Sequence, residues 1–403
     1  MVKRNKRKRR FRVKCRDRVD MVLPHKNGSY IVSELKKYMS EKLSIKPALK
    51  KLCRTYALGA RYHKEYPELV QIGYDHFNSP PNSAIVQEAR SFILNINSLE
   101  VVAWGFTRFF NCNEPYVHIF DWSSFKVYKK EDGSIITLYY YKKKWHVATK
   151  NGPDATGYVC GKNYNFSYLF FDMWKKLGYE LPKDRTKCYV FELVSPRNKN
   201  LIKAEEDRLV LIGVRCMKTY QEYSPSIVEK EHLNWEIAKP LKGFTCKQDI
   251  VDASLKLNLH EQEGFVVVDR YFQRLKIKNP QYVALSFLRP KQGSNNVNNM
   301  ITIIKINEGD EFLAYHSRWK PLYASVKNSY DELVKHIVDK WKMCKRSNHF
   351  KMSAKKLNIV LRGFMGTLRY EESVDENIVR KKLSKLSSKE IRNMIDKVVC
   401  YEY

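Results

Sequence analysis

None of the nine cysteines forms a CxxC pair, their number is odd, and no apolar stretch opens the chain. These absences argue against a disulfide framework or a zinc site and predict a reducing, intracellular setting. Long apolar runs are missing as well. Leu209–Val214 is among the longest, far too short to span a bilayer, so no membrane association is expected. Acidic residues are scarce: 43 Asp and Glu stand against 74 Lys and Arg, a formal charge of +31 over 403 residues. Such a surface attracts phosphate polymers in a salt-dependent way, although charge alone does not make an enzyme. Hydrophobic residues, at 43%, suffice for one large domain and a smaller one.

Residues 1–18 (MVKRNKRKRRFRVKCRDR) form a basic arm with little to bury. It could contact an RNA backbone, direct nuclear import of an otherwise cytoplasmic protein, or remain a solvated tail. Residues 19–90 read as mostly helical and irregular, and strands are expected from Ser91 onward. Ile135–Thr149 (IITLYYYKKKWHVAT) reads as strand, basic turn and strand, broken by Asn151-Gly152-Pro153-Asp154. A helix is expected near Phe166–Lys176, and strands at Cys188–Leu193, Leu209–Arg215 and Gly264–Asp269. This pattern predicts an α+β domain built on antiparallel sheets over residues 19–280. Beyond Pro280 the period becomes helical. Leu333, Ile337 and Trp341 recur on one face with Val334 and Val338 beside them. Ser373–Glu376 and Ser387–Glu390 match capping boxes, and GSNNVNN at 293–299 reads as a surface loop. Residues 281–403 are expected to form a smaller helical domain.

The block with chemical content is KKEDGSI at Lys129–Ile135. A lysine followed by Asp132 and Gly133 suits an amine held beside a phosphate by a tight turn, with room for the nucleotide to approach the backbone. Alone it is weak, since such a block is more often just a hairpin turn, by about ten to one. It is followed by VFELVSPRNKNLI (Val190–Ile202), EGFVVVD (Glu263–Asp269) and RLKIKNPQYVAL (Arg274–Leu285). It is preceded by QEARSFIL (Gln87–Leu94) and FTRFFN (Phe106–Asn111). In this order the blocks resemble the ATP-dependent RNA ligases of the RNA ligase 1 type, covalent nucleotidyltransferases found in T-even phages, insect viruses and some bacteria. The likeness covers roughly residues 65 to 345. It departs at one point: relatives usually carry Gly after the upstream Arg, where this chain has Ser91.

The resemblance implies a catalytic Lys130 that attacks the α-phosphate of ATP. A free lysine is protonated near neutral pH, and nearby cations and desolvation favour its neutral form. Lys276 and Lys278 alternate along one strand face and are the expected phosphate contacts. The family further implies that Glu192 and Glu263 face the nucleotide and Mg²⁺ (or Mn²⁺), with Asp132 sharing the metal role. Arg90, Arg108 and Lys150 would add positive charge at the nucleotide, and Phe110 would pack against it, leaving Phe109 for the core. The implied partner is RNA with 5′-phosphate and 3′-hydroxyl ends, by analogy broken tRNA. No obligate protein partner is evident. A sister DNA ligase or capping guanylyltransferase fits less well. DNA ligases usually have Arg two residues after the motif Gly, where this chain has Ile135, and both sister classes continue into an OB-fold rather than helices. A non-catalytic RNA-binding protein would not need all of Lys130, Glu192, Glu263, Lys276 and Lys278.

Overall fold

The computed structural model describes residues 28–76, 78–117, 120–159, 164–198, 200–258, 261–283, 296–346 and 359–398. The basic arm at 1–18 lies outside the described residues. Two helices come first, α1 (Tyr30–Ser40) and α2 (Ile45–Thr55). The Ser29 hydroxyl caps α1 by accepting from the Val32 amide. Ile31, Leu35, Leu49 and Leu52 pack onto a four-stranded antiparallel sheet of β1 (Leu58–Tyr62), β2 (Leu69–Tyr74), β3 (Phe92–Asn95) and β4 (Val101–Trp104). The short α3 (Ala84–Glu88) joins β2 to β3.

Two of these strands lie within residues 19–90, where helix and irregular structure were expected. For β2 the reason is burial. Leu69, Val70, Gln71 and Ile72 are all buried, so β2 lacks the alternation that marks a strand with one wet face.

A five-stranded sheet follows, ordered β11-β10-β9-β7-β8. It comprises β7 (Ser134–Tyr141), β8 (Lys144–Thr149), β9 (Lys187–Val194), β10 (Arg208–Cys216) and β11 (Glu222–Tyr223). The β7–β8 hairpin turns at Lys142 and Lys143, both at positive φ, as tight two-residue hairpin turns require. Helix α4 (Phe166–Lys176) covers this sheet with Leu169, Phe170, Met173 and Trp174. These elements match the sequence expectations to within a residue or two.

The third sheet is ordered β12-β6-β13-β14-β5, from β5 (Phe110–Asn111), β6 (Lys126–Lys130), β12 (Pro240–Leu241), β13 (Gly264–Val268) and β14 (Arg274–Lys278). All its pairings are antiparallel except β5 with β14. Val127, Phe265, Val267 and Ile277 point to α5 (Lys247–Leu255), which contributes Ile250. The alternate residues of β14, Arg274, Lys276 and Lys278, therefore face the other way. The register places Lys130, Gly264 and Lys278 in one row across three strands.

The chain then becomes helical: α6 (Asn296–Lys305), α7 (Gly309–Tyr315), α8 (Lys320–Arg346), α9 (Ile359–Leu368), α10 (Glu376–Leu383) and α11 (Ser388–Val398). Leu333, Val334, Ile337, Val338 and Trp341 are buried in one apolar cluster drawn from residues 297–398. Trp341 Nε1 donates to the Leu368 carbonyl at 3.0 Å. The Ser387–Glu390 capping box is formed in both directions. The other expected box is not: α10 starts at Glu376 and is capped by Asp375, whose carboxylate accepts from the Ile378 amide. Asp is as good a cap as Ser and stands immediately before the helix. The polar 293–299 stretch is also not all loop, since α6 begins at Asn296. Among the described residues no helix is long and apolar enough to cross a membrane, and Cys53, Cys112, Cys188, Cys216, Cys246 and Cys344 are free.

Two stability predictions follow from this packing. A Cβ at Gly264 would meet the Ile277 carbonyl and stand 2.6 Å from Lys278 Cα. Gly264→Ala should cost roughly 1–3 kcal/mol in chemical denaturation, since backbone must move; an unchanged midpoint would show that β14 yields freely. Leu333 is fully buried, so Leu333→Ala should cost about 2–5 kcal/mol in the same measurement.

Candidate active site

A cavity of about 210 Å³ opens between the two five-stranded sheets. One wall is the polar face of the third sheet, with Lys130 from β6 and Arg274, Lys276 and Lys278 from β14. The facing wall carries Ile135, Glu192 and Ile212, and Arg90, Phe106 and Phe109 close one side.

Adjacent strands lie about 4.8 Å apart, so the Lys130–Gly264–Lys278 row sets two amines on either side of the central strand. Glu263, one residue before Gly264, reaches both. Its carboxylate accepts from Lys130 Nζ at 2.6 Å and pairs with Lys278 Nζ at 3.0 Å. Burial would raise the Glu263 carboxyl, but Lys130 and Lys278 outweigh it and hold it below the ordinary range. Burial would lower Lys278, yet Glu263 and Glu311 keep it protonated well above the usual lysine value. Lys276 makes no ion pair among the described residues. Burial lowers it, with Glu311 opposing and Lys278 adding to the fall.

Glu192 faces this group from the central strand of the other sheet. It is only 8% exposed, and its side chain makes no hydrogen bond among the described residues. Its carboxyl is pushed up to about 7, first by burial; Glu263 and Asp132 add to the rise, and Lys130 and Arg90 oppose it. A buried carboxylate at a cavity wall with no donor of its own suits a ribose hydroxyl or a hydrated divalent ion. Gly133 is required beside it: a Cβ there would stand 2.8 Å from Glu192 Cγ and 2.6 Å from the Leu193 carbonyl.

The metal question turns on the donor set. Among the described residues no three His, Cys, Asp or Glu side chains gather to hold an ion by themselves. Asp132, expected to share this role, has its carboxylate turned to the Ile202 amide at 2.7 Å, and its backbone carbonyl accepts from Asn200. It fixes the Lys130–Ser134 turn against the 200–202 loop. Burial raises its carboxyl and the Ile202 amide lowers it. The remaining carboxylates, Glu192 and Glu263, fit Mg²⁺ in its common mode, where one or two carboxylates, waters and substrate phosphates share the ion.

The other expected residues divide. Arg90 lines the cavity, its guanidinium 4.8 Å from the Phe109 ring centre. Ser91 beside it has φ +57°, the left-handed conformation that glycine takes without strain, where relatives place Gly. Arg108 and Lys150 do not line the cavity; with Arg90 and Lys276 they surround Tyr74. Burial would raise the Tyr74 phenol, but these four cations bring it below its usual value. Lys150 Nζ also lies 2.5 Å from His76 Nε2. Phe110 is buried in β5 under Arg108 and Tyr116, away from the cavity. Phe109, expected in the core, lines the cavity instead.

Several residues of this neighbourhood escaped the sequence reading. Arg274 sits two residues before Lys276 on the same strand face, so alternation could have found it. Tyr74, His76, Glu308 and Glu311 carry no local signal.

A family model described as RNA ligase matches residues 88–282, the span that supplies nearly all of this cavity. A protein of Autographa californica nuclear polyhedrosis virus, described as a bifunctional polynucleotide kinase/RNA ligase, is 26% identical over 308 residues, covering 70% of this chain and 42% of its own length. An RNA ligase of Rhodothermus phage RM378 is 23% identical over 265 residues, covering 53% of this chain and 59% of its own. The chain thus spans about half the length of these curated relatives. Among solved structures, an RNA ligase of Naegleria gruberi overlaps 40% of this chain and 50% of its own at 14% identity, with a TM-score of 0.29, too low to carry weight. With its motif blocks gathered on one cavity, the chain is similar over residues 88–282 to the RNA ligases and is related to the phage and viral enzymes.

Proposed function

We propose that the protein is an ATP-dependent RNA ligase working through an AMP covalently held on Lys130. The observation that carries this reading is the pair of lysines sharing Glu263 opposite the unpartnered Glu192. A binding protein has no use for an amine held at 2.6 Å by a buried carboxylate at a cavity wall. In the first step Lys130 Nζ attacks the α-phosphorus of ATP. A P–N bond forms, the bond to the β-phosphate oxygen breaks, pyrophosphate leaves, and the amine gives up its proton. An RNA 5′-phosphate oxygen then attacks the AMP phosphorus, breaking the P–N bond and freeing Lys130. Finally a 3′-hydroxyl attacks the RNA 5′-phosphate, and AMP leaves as the ends join. Lys276, Lys278 and Arg90 offset phosphate charge, and Glu192 and Glu263 would hold Mg²⁺, whose chemistry is to neutralise charge developing on the phosphates. The formal +31 charge suits an RNA backbone. Repair of broken tRNA is the substrate to try first.

Incubation with labelled ATP and Mg²⁺ tests the reading. Wild type and Lys129→Ala should take up AMP, and Lys130→Ala should take up none while melting normally. Label on Lys130→Ala at the wild-type level would move the nucleophile elsewhere. Uptake from GTP in preference to ATP would point to capping chemistry, and sealing of nicked DNA but not RNA to a DNA ligase.

A further inference from the structure

The segment from Asn307 to His316 is anchored in the helical region by Phe312 and reaches across to the residues around the cavity. Asn307 donates to the His76 carbonyl, Tyr116 donates to Asp310 at 3.2 Å, and His316 Nε2 lies 3.0 Å from the Pro280 carbonyl. This docking carries two carboxylates inward. Glu311 pairs with Lys278 at 2.5 Å, so that amine is shared between Glu311 and Glu263. Glu308 stands 3.6 Å from His76 Nδ1, whose other ring nitrogen meets Lys150. Glu311 also feels the fields of Lys276 and Lys130, and Glu308 those of Lys276 and Lys278.

Buried cations without counter-charge are costly, and here the chain supplies the counter-charge itself. Lys276 and Lys278 are the cations that the first chemical step needs for phosphate. Phosphate oxygens and two glutamates cannot share them without like-charge repulsion.

We infer that Glu308 and Glu311 stand in for the β- and γ-phosphates of ATP, so that the nucleotide must displace the 307–316 segment to bind. The inference rests on the reading of the cavity as an ATP site. It makes the helical region a competitor for the nucleotide, and so couples ATP binding to how that region sits. A change that pulls the region outward, such as RNA bound to its basic helices, would expose the phosphate site.

The test uses the full chain. Inorganic tripolyphosphate and ATP are titrated calorimetrically into wild type, Glu311→Gln and Glu308→Gln/Glu311→Gln, and the rate of AMP attachment is measured against ATP concentration. The double variant should bind both ligands about five- to tenfold more tightly, with a lower KM and an unchanged plateau rate. By reciprocity, tripolyphosphate should speed backbone hydrogen exchange across 307–316 in wild type, a readout that needs no variant. Unchanged affinity together with unchanged exchange overturns the inference. So does weaker binding or a lower plateau, which would make Glu311 a residue that positions Lys278 for the reaction. If wild type takes no AMP at all, the ATP reading fails, and the tripolyphosphate arm still decides whether the glutamates hold the anion's place.

Discussion

Glu263 is a buried carboxylate that two lysines from neighbouring strands reach at once, and the geometry of the cavity depends on that sharing. Three antiparallel strands in one register bring the three groups together. A one-residue slip of β13 against its neighbours would turn Glu263 to the opposite face and leave two cations without their common partner. The register is fixed on the other face by Val127, Phe265, Val267 and Ile277 against α5. Apolar packing on one side of the sheet therefore positions the charges on the other.

The second sheet contributes differently. Glu192 comes from its central strand, between β7 and β10, and is held by the ladder rather than by partners of its own. Gly133 lets the turn after Lys130 close over it. The 200–202 loop fixes that turn through Asp132 and Asn200. The KKEDGS block thus has two jobs: Lys130 faces the cavity, and Asp132 ties the turn down. The sequence pattern alone could not separate them, because a carboxylate two residues from a lysine suits either role.

Legibility followed locality. The alternation in RLKIK predicted which side Lys276 and Lys278 share, and the hairpin at Ile135–Thr149, α4 and the α8 stripe were readable from period alone. β1 and β2 were not: β2 is buried on both faces and so loses its alternation, while β1 has four of its five residues exposed and shows none either. Phe109 and Phe110 were exchanged in expectation; adjacent residues on an extended chain point opposite ways, and nothing nearby says which side faces the cavity. The docking of Glu308 and Glu311 was out of reach, since it joins positions far apart in the chain through tertiary packing. Ser91 shows a different limit. The likeness to relatives marked it as a missing glycine, but only the backbone shows that serine still takes the left-handed conformation.

The row across β6, β13 and β14 also bears on the order of synthesis. Lys130 leaves the ribosome well before Glu263, which follows it by 133 residues, and Lys278 emerges later still. Until those strands pair, the amine is an ordinary exposed lysine with nothing to orient it. If Lys130 is the nucleophile as proposed, the nascent chain would not react with nucleotide for much of its production. Because these long-range strand pairings are slow to form, reactivity would appear only once the sheet is complete.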